Sequence, residues 1–292
     1  MDLDLRKLRY FVTVAERLHF GQAAAALYIT QPALSRQIRQ LEQELNVELL
    51  ERTSRQVSLT AAGKRLAEDG ARLLAASQAA IDQARRAGQG EQSLTLGFML
   101  GMDIAPVTQE FTGTHPEVEL LLQRLRWWNH AAAIRDGRVD AGFVRLPLPA
   151  DGLATEELYT EQVCVALPAG HPLAALPSVK LTQLASELVL LYAEADAAWN
   201  AAWTFDPRPD GSHPLAGPYV HDMEEILAYV RAGRGVAYLP VPVTAGIAPH
   251  GVTFVPVDDV PPGRVVLAWD AERPPAHIWA LRRAARGAAQ HR

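Results

Sequence analysis

The sequence predicts an α/β chain in three parts: a small helical head, one long helix, and two successive sets of alternating strands and helices. Three observations predict it. Apolar residues recur at helical spacing between Leu8 and Leu45. A proline-free, helix-prone run extends from Thr60 to about Ala87. After Ser93 short apolar runs alternate with helical stretches, the pattern of βαβ units and largely parallel sheets.

In the head, Leu8, Phe11, Val12 and Ala15 make the first helix amphipathic. Gly21 is expected to break the chain before a short Ala-rich helix over Ala23–Leu27. Thr30 is a good N-cap for a third helix, and Pro32 falls in the first turn, where its missing N–H costs nothing. Leu34, Ile38, Leu41 and Leu45 form one narrow stripe. The opposite face carries Pro32, Ala33, Arg36, Arg39, Gln40 and Gln43, with Gln31 and Ser35 at its N-terminal edge. A small, polar, basic face of this kind suits a DNA major groove: Arg can fork onto guanine, Gln can read adenine, and small residues admit the backbone. From Glu51 to Thr60 a basic hairpin follows, with Arg52 and Arg55 flanking its turn and Val57 and Leu59 facing inward. Its arginines suit phosphate or the minor groove.

The long run is rich in Ala, Leu, Arg, Glu and Gln. As a helix it would span ~40 Å. Leu66, Leu73, Leu74, Ala80, Ile81 and Ala84 form its apolar stripe, and the simplest partner for such a stripe is the same helix of a second copy. A helix packed on its own C-terminal domain is the alternative. Gly88–Ser93 (GQGEQS) marks a boundary.

Beyond it, strands are expected at Leu94–Phe98, Val118–Leu125, Asp140–Val144, Val163–Pro168, Glu187–Tyr192, Val236–Pro240, Val252–Val257 and Arg264–Trp269. Helices are expected from about Ile104, over Ala131–Asp136, over Met223–Arg231, and after Pro275.

Charge divides the chain. The formal net charge is −5, but residues 1–90 hold 13 Lys+Arg against 10 Asp+Glu and the remainder 15 against 23. That asymmetry puts nucleic acid at the N-terminal end. The one cysteine, Cys164, rules out a disulfide framework within the chain and suits a reducing compartment. The opening MDLDLRKLRYF has charges where a signal peptide needs an apolar run, and no uncharged apolar segment is long enough to span a bilayer. A cytoplasmic location without a membrane partner is expected.

The stretch HFGQAAAALYITQPALSRQIRQLEQELNVELLERTSRQVSLTAAG from His19 closely resembles the winged helix-turn-helix of the LysR-type transcriptional regulators. DGRVDAGFVRLP, ALPAGHPLA and YVRAGRGVAYLP resemble landmarks of that family's effector domain. Two positions depart from the pattern: Asn46 stands where the family usually has a left-handed Gly C-cap, and Leu50 where it often has Phe.

The resemblance implies a winged helix-turn-helix over 1–59, a linker and dimerisation helix over 60–91, and a periplasmic-binding-protein-like (type 2) effector domain over 92–292. Subdomain I would take 92–162 and 265–292, and subdomain II 163–264, with two crossing strands as hinge and a small ligand in the cleft. DNA contacts would come from Gln31, Pro32, Ser35, Arg36, Arg39, Arg52 and Arg55, and dimer contacts from Leu66, Leu73, Leu74 and Ile81. The implied partners are double-stranded promoter DNA, a small-molecule effector, a second copy or a dimer of dimers, and RNA polymerase. No cofactor or metal is expected.

The effector loops depart most from the family. The first, Met99–Asp103, lacks the hydroxyls the family often offers to a carboxylate, and Asp103 is placed to cap a helix beginning at Ile104. The second, Arg126–His130 (RWWNH), has two Trp in place of Ser or Thr. Leu100, Gly101, Met102, Trp127, Trp128, Asn129, His130, Tyr192 and His221 are the expected cleft residues, implying an aromatic or otherwise flat ligand. Either Trp taken alone reads first as plain core; two of them together beside Asn129 and His130 point to at least one lining the pocket. From the second subdomain, the strand end at Tyr192 and the loop His221–Met223 are expected to face the same cleft.

Catalysis has no visible seat. Nine histidines include no pair at metal-ligand spacing, and there is no CxxC or HExxH. Ser178, Ser186 and Ser212 lack a nucleophile-elbow context. Gly233 and Gly235 follow a helix rather than precede one, so they make no phosphate cradle. The rival classes are a binding domain adapted to act enzymatically on its ligand and a purely structural dimeric scaffold, which leaves the cleft unexplained.

Overall fold

Helix α1 (Leu5–Arg17) begins where the Asp4 carboxylate accepts from the Arg6 and Lys7 amides, and it stops at Leu18 in a left-handed conformation. In this computed structural model, residues 3–52, 57–88, 92–149, 151–247 and 250–290 are described. The chain divides into two compact units, Met1–Gln89 with Asp136–Arg138, and Gly90–Arg135 with Val139–Arg292.

In the first unit, α2 (Phe20–Ala26) starts earlier than expected. Gly21 lies inside the helix, because the His19 ring accepts from the Gln22 amide and caps the preceding turn. Helix α3 (Gln31–Leu45) is capped as expected: the Thr30 hydroxyl accepts from the Ala33 amide, Pro32 sits in the first turn, and Asn46 closes the helix at φ 51°. Phe11, Val14, Ala23, Leu34, Ile38, Leu41 and Leu49 form the buried core, with Leu50 filling the family's Phe position at 4% exposure. Each large apolar side chain among them is worth roughly 1.5–3 kcal/mol of transfer free energy. The Glu42 carboxylate accepts from the Leu49 and Leu50 amides and so fixes the start of β1 (Leu50–Arg52), which pairs antiparallel with β2 (Val57–Leu59).

Thr60 then starts α4 (Ala61–Gly88): its hydroxyl accepts from the Gly63 amide and donates to the Glu48 carbonyl. The first turns of α4 belong to the head. A Cβ at Gly70 would lie 2.7 Å from Leu8 and 3.0 Å from Val12, so α1 rests directly on this helix. Leu66 packs on the head core as well, with Ala62 and Ala67. Farther along, Leu73 and Ile81 are 49% and 44% exposed.

The second unit opens with β3 (Gln92–Met99), α5 (Ala105–Thr114), β4 (Val118–Leu125), α6 (His130–Arg135), β5 (Ala141–Arg145) and β6 (Leu153–Glu161). Next come β7 (Val163–Pro168), β8 (Leu188–Tyr192), α7 (Ala197–Thr204), β9 (Leu215–Val220) and α8 (Met223–Arg231). The chain ends with β10 (Ala237–Pro240), α9 (Val241–Ala245), β11 (Val252–Pro256), β12 (Gly263–Asp270) and α10 (Ile278–Gln290).

One sheet has the order β4-β3-β5-β12-β6, and the second lobe holds β10-β7-β11 and β8-β9. The sheets are mixed rather than largely parallel. β3 runs parallel to β4 and β5, but β12 runs antiparallel to both β5 and β6, and β7 runs antiparallel to β10 and β11. The antiparallel pairs arise because the chain leaves the first sheet after β6 and returns to it in β12. Gln162 alone separates β6 from β7, and residues 257–262 carry the chain back.

Four elements escaped the sequence reading, among them the one-turn helix α9 behind Pro240. β6 has half-exposed residues on both faces and little apolar signal. β9 contains Gly217 and Pro218 and reads as loop. α7 is a short helix whose start is fixed by the Asp196 cap rather than by a long apolar stripe. Asp103 does not stand at the cap position expected of it. α5 starts at Ala105 with Ile104 as its cap residue, although the Asp103 carboxylate accepts from the Ala105 amide at 3.1 Å.

Candidate nucleic-acid interface and ligand cleft

The outward face of α3 brings together Gln31, Pro32, Ser35, Arg36 and Arg39, which line one shallow concavity. Gln31, Pro32, Arg36 and Arg39 are exposed and Ser35 is half-buried. Arg39 donates to the Ser35 hydroxyl at 3.2 Å, one turn back along the helix. Leu34 and Ile38, fully buried, hold the opposite side of α3 on the head core and so fix which side chains look outward. Arg52 ends β1, but its side chain lies outside the described residues, as does all of Arg55.

In the second unit a cavity of about 60 Å³ lies between the two lobes. From the first lobe it is lined by Met99, Leu100, Arg124, Arg126, Trp127 and Arg145, and from the second by Tyr192, Trp199, Trp203, Met223, Leu239 and Val243. Aromatic rings from both lobes meet at the cavity. Trp127 meets Tyr192 edge-on at 5.2 Å and Trp128 at 5.0 Å, while Trp199 stacks with Trp203 at 5.6 Å.

Polar groups around the cavity are mostly spoken for. The Trp127 indole N–H donates to the Ala193 carbonyl at 3.0 Å, the Trp203 N–H to the Leu146 carbonyl at 3.2 Å, and the Tyr192 hydroxyl to the Tyr238 carbonyl at 2.7 Å. Arg145 is buried and grips Glu161 through two nitrogens, at 2.6 and 3.2 Å, and donates a third hydrogen bond to the Leu100 carbonyl. Trp199 differs: its indole nitrogen is buried without a hydrogen-bond partner, and a buried donor left unmade costs free energy until something accepts from it.

The expected cleft residues divide. Leu100, Trp127 and Tyr192 line the cavity. Gly101, at φ 79°, sits so close to α9 that a Cβ would stand 2.6 Å from the Val243 backbone, so it is a lobe-to-lobe contact. Met102 turns into the hydrophobic core. Trp128 lies behind Trp127 with the Arg126 guanidinium 5.1 Å over its ring. Asn129 shapes the loop, its side-chain oxygen accepting from the Arg126 amide. His130 is buried against Trp199 at 5.1 Å, and burial pushes its pKa below the ordinary histidine value. His221 faces solvent and pairs with Glu225 at 3.0 Å, a hydrogen bond that raises its pKa.

Arg124, Arg145, Trp199, Trp203, Leu239 and Val243 were missed, whereas Met223 ends the 221–223 loop expected at the cleft and does line it. Two adjacent Trp in a loop gave a sequence signal; Trp199 and Trp203, four apart on α7, offered one only through their helical spacing. Cys164 is buried core: its thiol donates to the Leu239 carbonyl, and burial pushes its pKa up to about 12.

Among the described residues no cluster of three or more His, Cys, Asp or Glu could hold a metal ion, and no helix is long and apolar enough to cross a membrane. Residues 5–64 match the bacterial regulatory helix-turn-helix protein, lysR family, and residues 87–290 match the LysR substrate binding domain. The HTH-type transcriptional regulator BenM of Acinetobacter baylyi is 32% identical over 263 residues, covering 88% of this chain and 86% of that protein. The regulator AlsR of Bacillus subtilis is 32% identical over 246 residues, covering 82% and 80%.

The solved structure of full-length BenM superposes at TM-score 0.58 with 28% identity, covering 99% of this chain and 97% of that one. CbnR, a LysR family transcriptional regulator, shares the fold at TM-score 0.67 with 22% identity over 98% and 99%. These relatives are regulators rather than enzymes, which removes the enzymatic alternative. A helix-turn-helix head with a polar, arginine-bearing face, joined to a two-lobed domain with a cavity between its lobes, thus has matching relatives along nearly its whole length, and the chain belongs to the LysR family of DNA-binding, effector-controlled transcriptional regulators.

Proposed function

We propose that residues 1–59 read promoter DNA through Gln31, Pro32, Ser35, Arg36 and Arg39, with Arg52 and Arg55 on the flanking phosphates. Residues 60–91 pair two copies, and 92–292 sense a planar aromatic effector. The pairing is through Leu73, Leu74 and Ile81, in a homodimer or a dimer of dimers. The protein works in the cytoplasm, where its DNA-bound form meets RNA polymerase.

One observation carries the effector reading: the cavity between the lobes is walled by Trp127, Tyr192, Trp199 and Trp203, and the Trp199 N–H has no acceptor. An aromatic molecule stacked there, offering one acceptor oxygen or nitrogen to Trp199, satisfies both features. At about 60 Å³ the cavity is smaller than the roughly 150 Å³ that holds benzene, so the ligand enters by displacing a side chain, and of the four aromatic ones Trp127 is the one on a loop. Binding then shifts the population of lobe arrangements by its differential affinity for them. The test is a thermal-shift and Trp-fluorescence screen of the full chain against aromatic and aliphatic compounds. Aromatic hits that quench Trp fluorescence support the reading; an aliphatic dicarboxylate that stabilises equally well in Trp199→Phe sinks it.

A further inference from the structure

Tyr28 is 95% exposed and lies in the turn between α2 and α3, with its backbone left-handed at φ 55°. The hydrogen bonds around it explain the conformation. The Tyr28 amide donates to the Ala25 carbonyl and the Ile29 amide to the Ala24 carbonyl, the paired closure that ends many helices. That closure requires a left-handed residue at this point, and Gly or Asn meets the requirement with least strain. A large aromatic residue there is a poor conformational choice. Nor does packing compensate, since the side chain is almost wholly in solvent.

A residue that costs conformational energy and gains no packing is expected where function requires its side chain. The turn's position supplies the function. Thr30, two residues on, caps α3, so no more than ~7 Å of chain separates Tyr28 from the helix end that carries Gln31. Side chains just before a recognition helix lie at the edge of the groove, where the partner's groups are phosphate oxygens. Tyr supplies an O–H donor at the end of a rigid ring, without charge.

We propose that Tyr28 is a DNA-contacting residue whose hydroxyl donates to a backbone phosphate oxygen at the edge of the groove read by α3. This rests on α3 being the reading helix. The contact positions the head, so it strengthens binding to any sequence, and a neutral donor displaces no counterion.

The experiment measures binding of the full-length protein to a specific and a scrambled duplex at several salt concentrations, with melting temperatures alongside. Tyr28→Gly relieves the left-handed strain and is expected to melt at or above the parent, yet to bind both duplexes about five-fold more weakly. Tyr28→Phe is expected to match that loss, with an unchanged salt slope in both variants. Parent-like affinity of both variants for both duplexes overturns the proposal, as does a loss confined to the specific duplex, which makes the ring a base reader. Arg36→Ala serves as the control for the reading face: if it loses specific binding while the Tyr28 variants do not, the contact is wrong and α3 still reads; if none of them loses, the face itself is wrong.

Discussion

The indole N–H of Trp127 donates to the carbonyl oxygen of Ala193 at 3.0 Å, and the two residues belong to different lobes. Trp127 follows β4 of the first sheet and Ala193 follows β8 of the second lobe. One side chain thus both fills the cleft and ties its walls together.

Replacing Trp127 by Ala removes that tie and leaves a cavity. The expected destabilisation is about 2–4 kcal/mol, less than for a fully buried Trp because this one is partly exposed. Free indole should re-occupy the space and raise the melting temperature of the variant but not of the parent. An indole-insensitive Trp127→Ala protein would show that the cleft collapses when the side chain is lost.

Arg36→Ala should weaken binding to the specific site by roughly 1–3 kcal/mol and relax sequence preference, with a much smaller loss on scrambled DNA. Titrations at fixed salt decide this; equal losses on both duplexes would make Arg36 a phosphate contact only.

On α4 the structure separates two groups within one apolar stripe. Leu73→Glu with Ile81→Glu should weaken self-association by about 2 kcal/mol or more while leaving the head folded. Leu66→Glu should unfold the head, because Leu66 packs on its core. Sedimentation and circular dichroism measure the two effects; a double variant still fully dimeric at low micromolar concentration refutes the seam.

Arg145 and Glu161 form a buried pair with side chains 3% and 2% exposed. Removing one partner strands a charge, so Glu161→Ala should cost about 3–5 kcal/mol, whereas Arg145→Met with Glu161→Leu should cost far less. Chemical denaturation of the three proteins provides the check, and equal losses in single and double variants would count against the pair as the cause.

His130 supplies a pH dependence. Burial lowers its folded pKa below the unfolded value of 6.5, so the unfolded chain takes up a proton that the folded chain resists. Its contribution is constant above pH 6.5 and falls as pH drops from there toward the folded pKa. Stability profiles of the parent and His130→Asn should diverge in that acid window and run parallel above it; parallel profiles throughout would mean the ring titrates normally.

How much of this was legible in the sequence depends on how local each signal is. Thr30, Pro32 and Asn46 act on their own backbone, so the ends of α3 could be read directly. The stripe Leu34, Ile38, Leu41 likewise fixed the outward face. β6 was invisible because its face-to-face alternation is blurred by half-exposed positions, and β12's direction depends on pairing with a strand far away in the chain. The cleft was half legible. Trp127 was suggested by its loop, but Trp199, Trp203 and Arg145 reach the cavity only through the way the lobes face each other. Asn129 spends its side-chain oxygen on its own loop, and His130 does the same with Nδ1 while its Nε2 is buried without a partner.

The single-residue passage at Gln162 constrains how such a molecule can move. Its carbonyl already accepts from the Val241 amide, so even that one residue is tethered to the second lobe. Any change of angle between the sheets must be absorbed by a few backbone torsions at Gln162 and in residues 257–262. A pivot this narrow turns small torsional adjustments into large displacements far from the axis, as a short-hinged lever does. Substitutions at the pivot should therefore alter the reach of the whole lobe while touching neither ligand nor DNA.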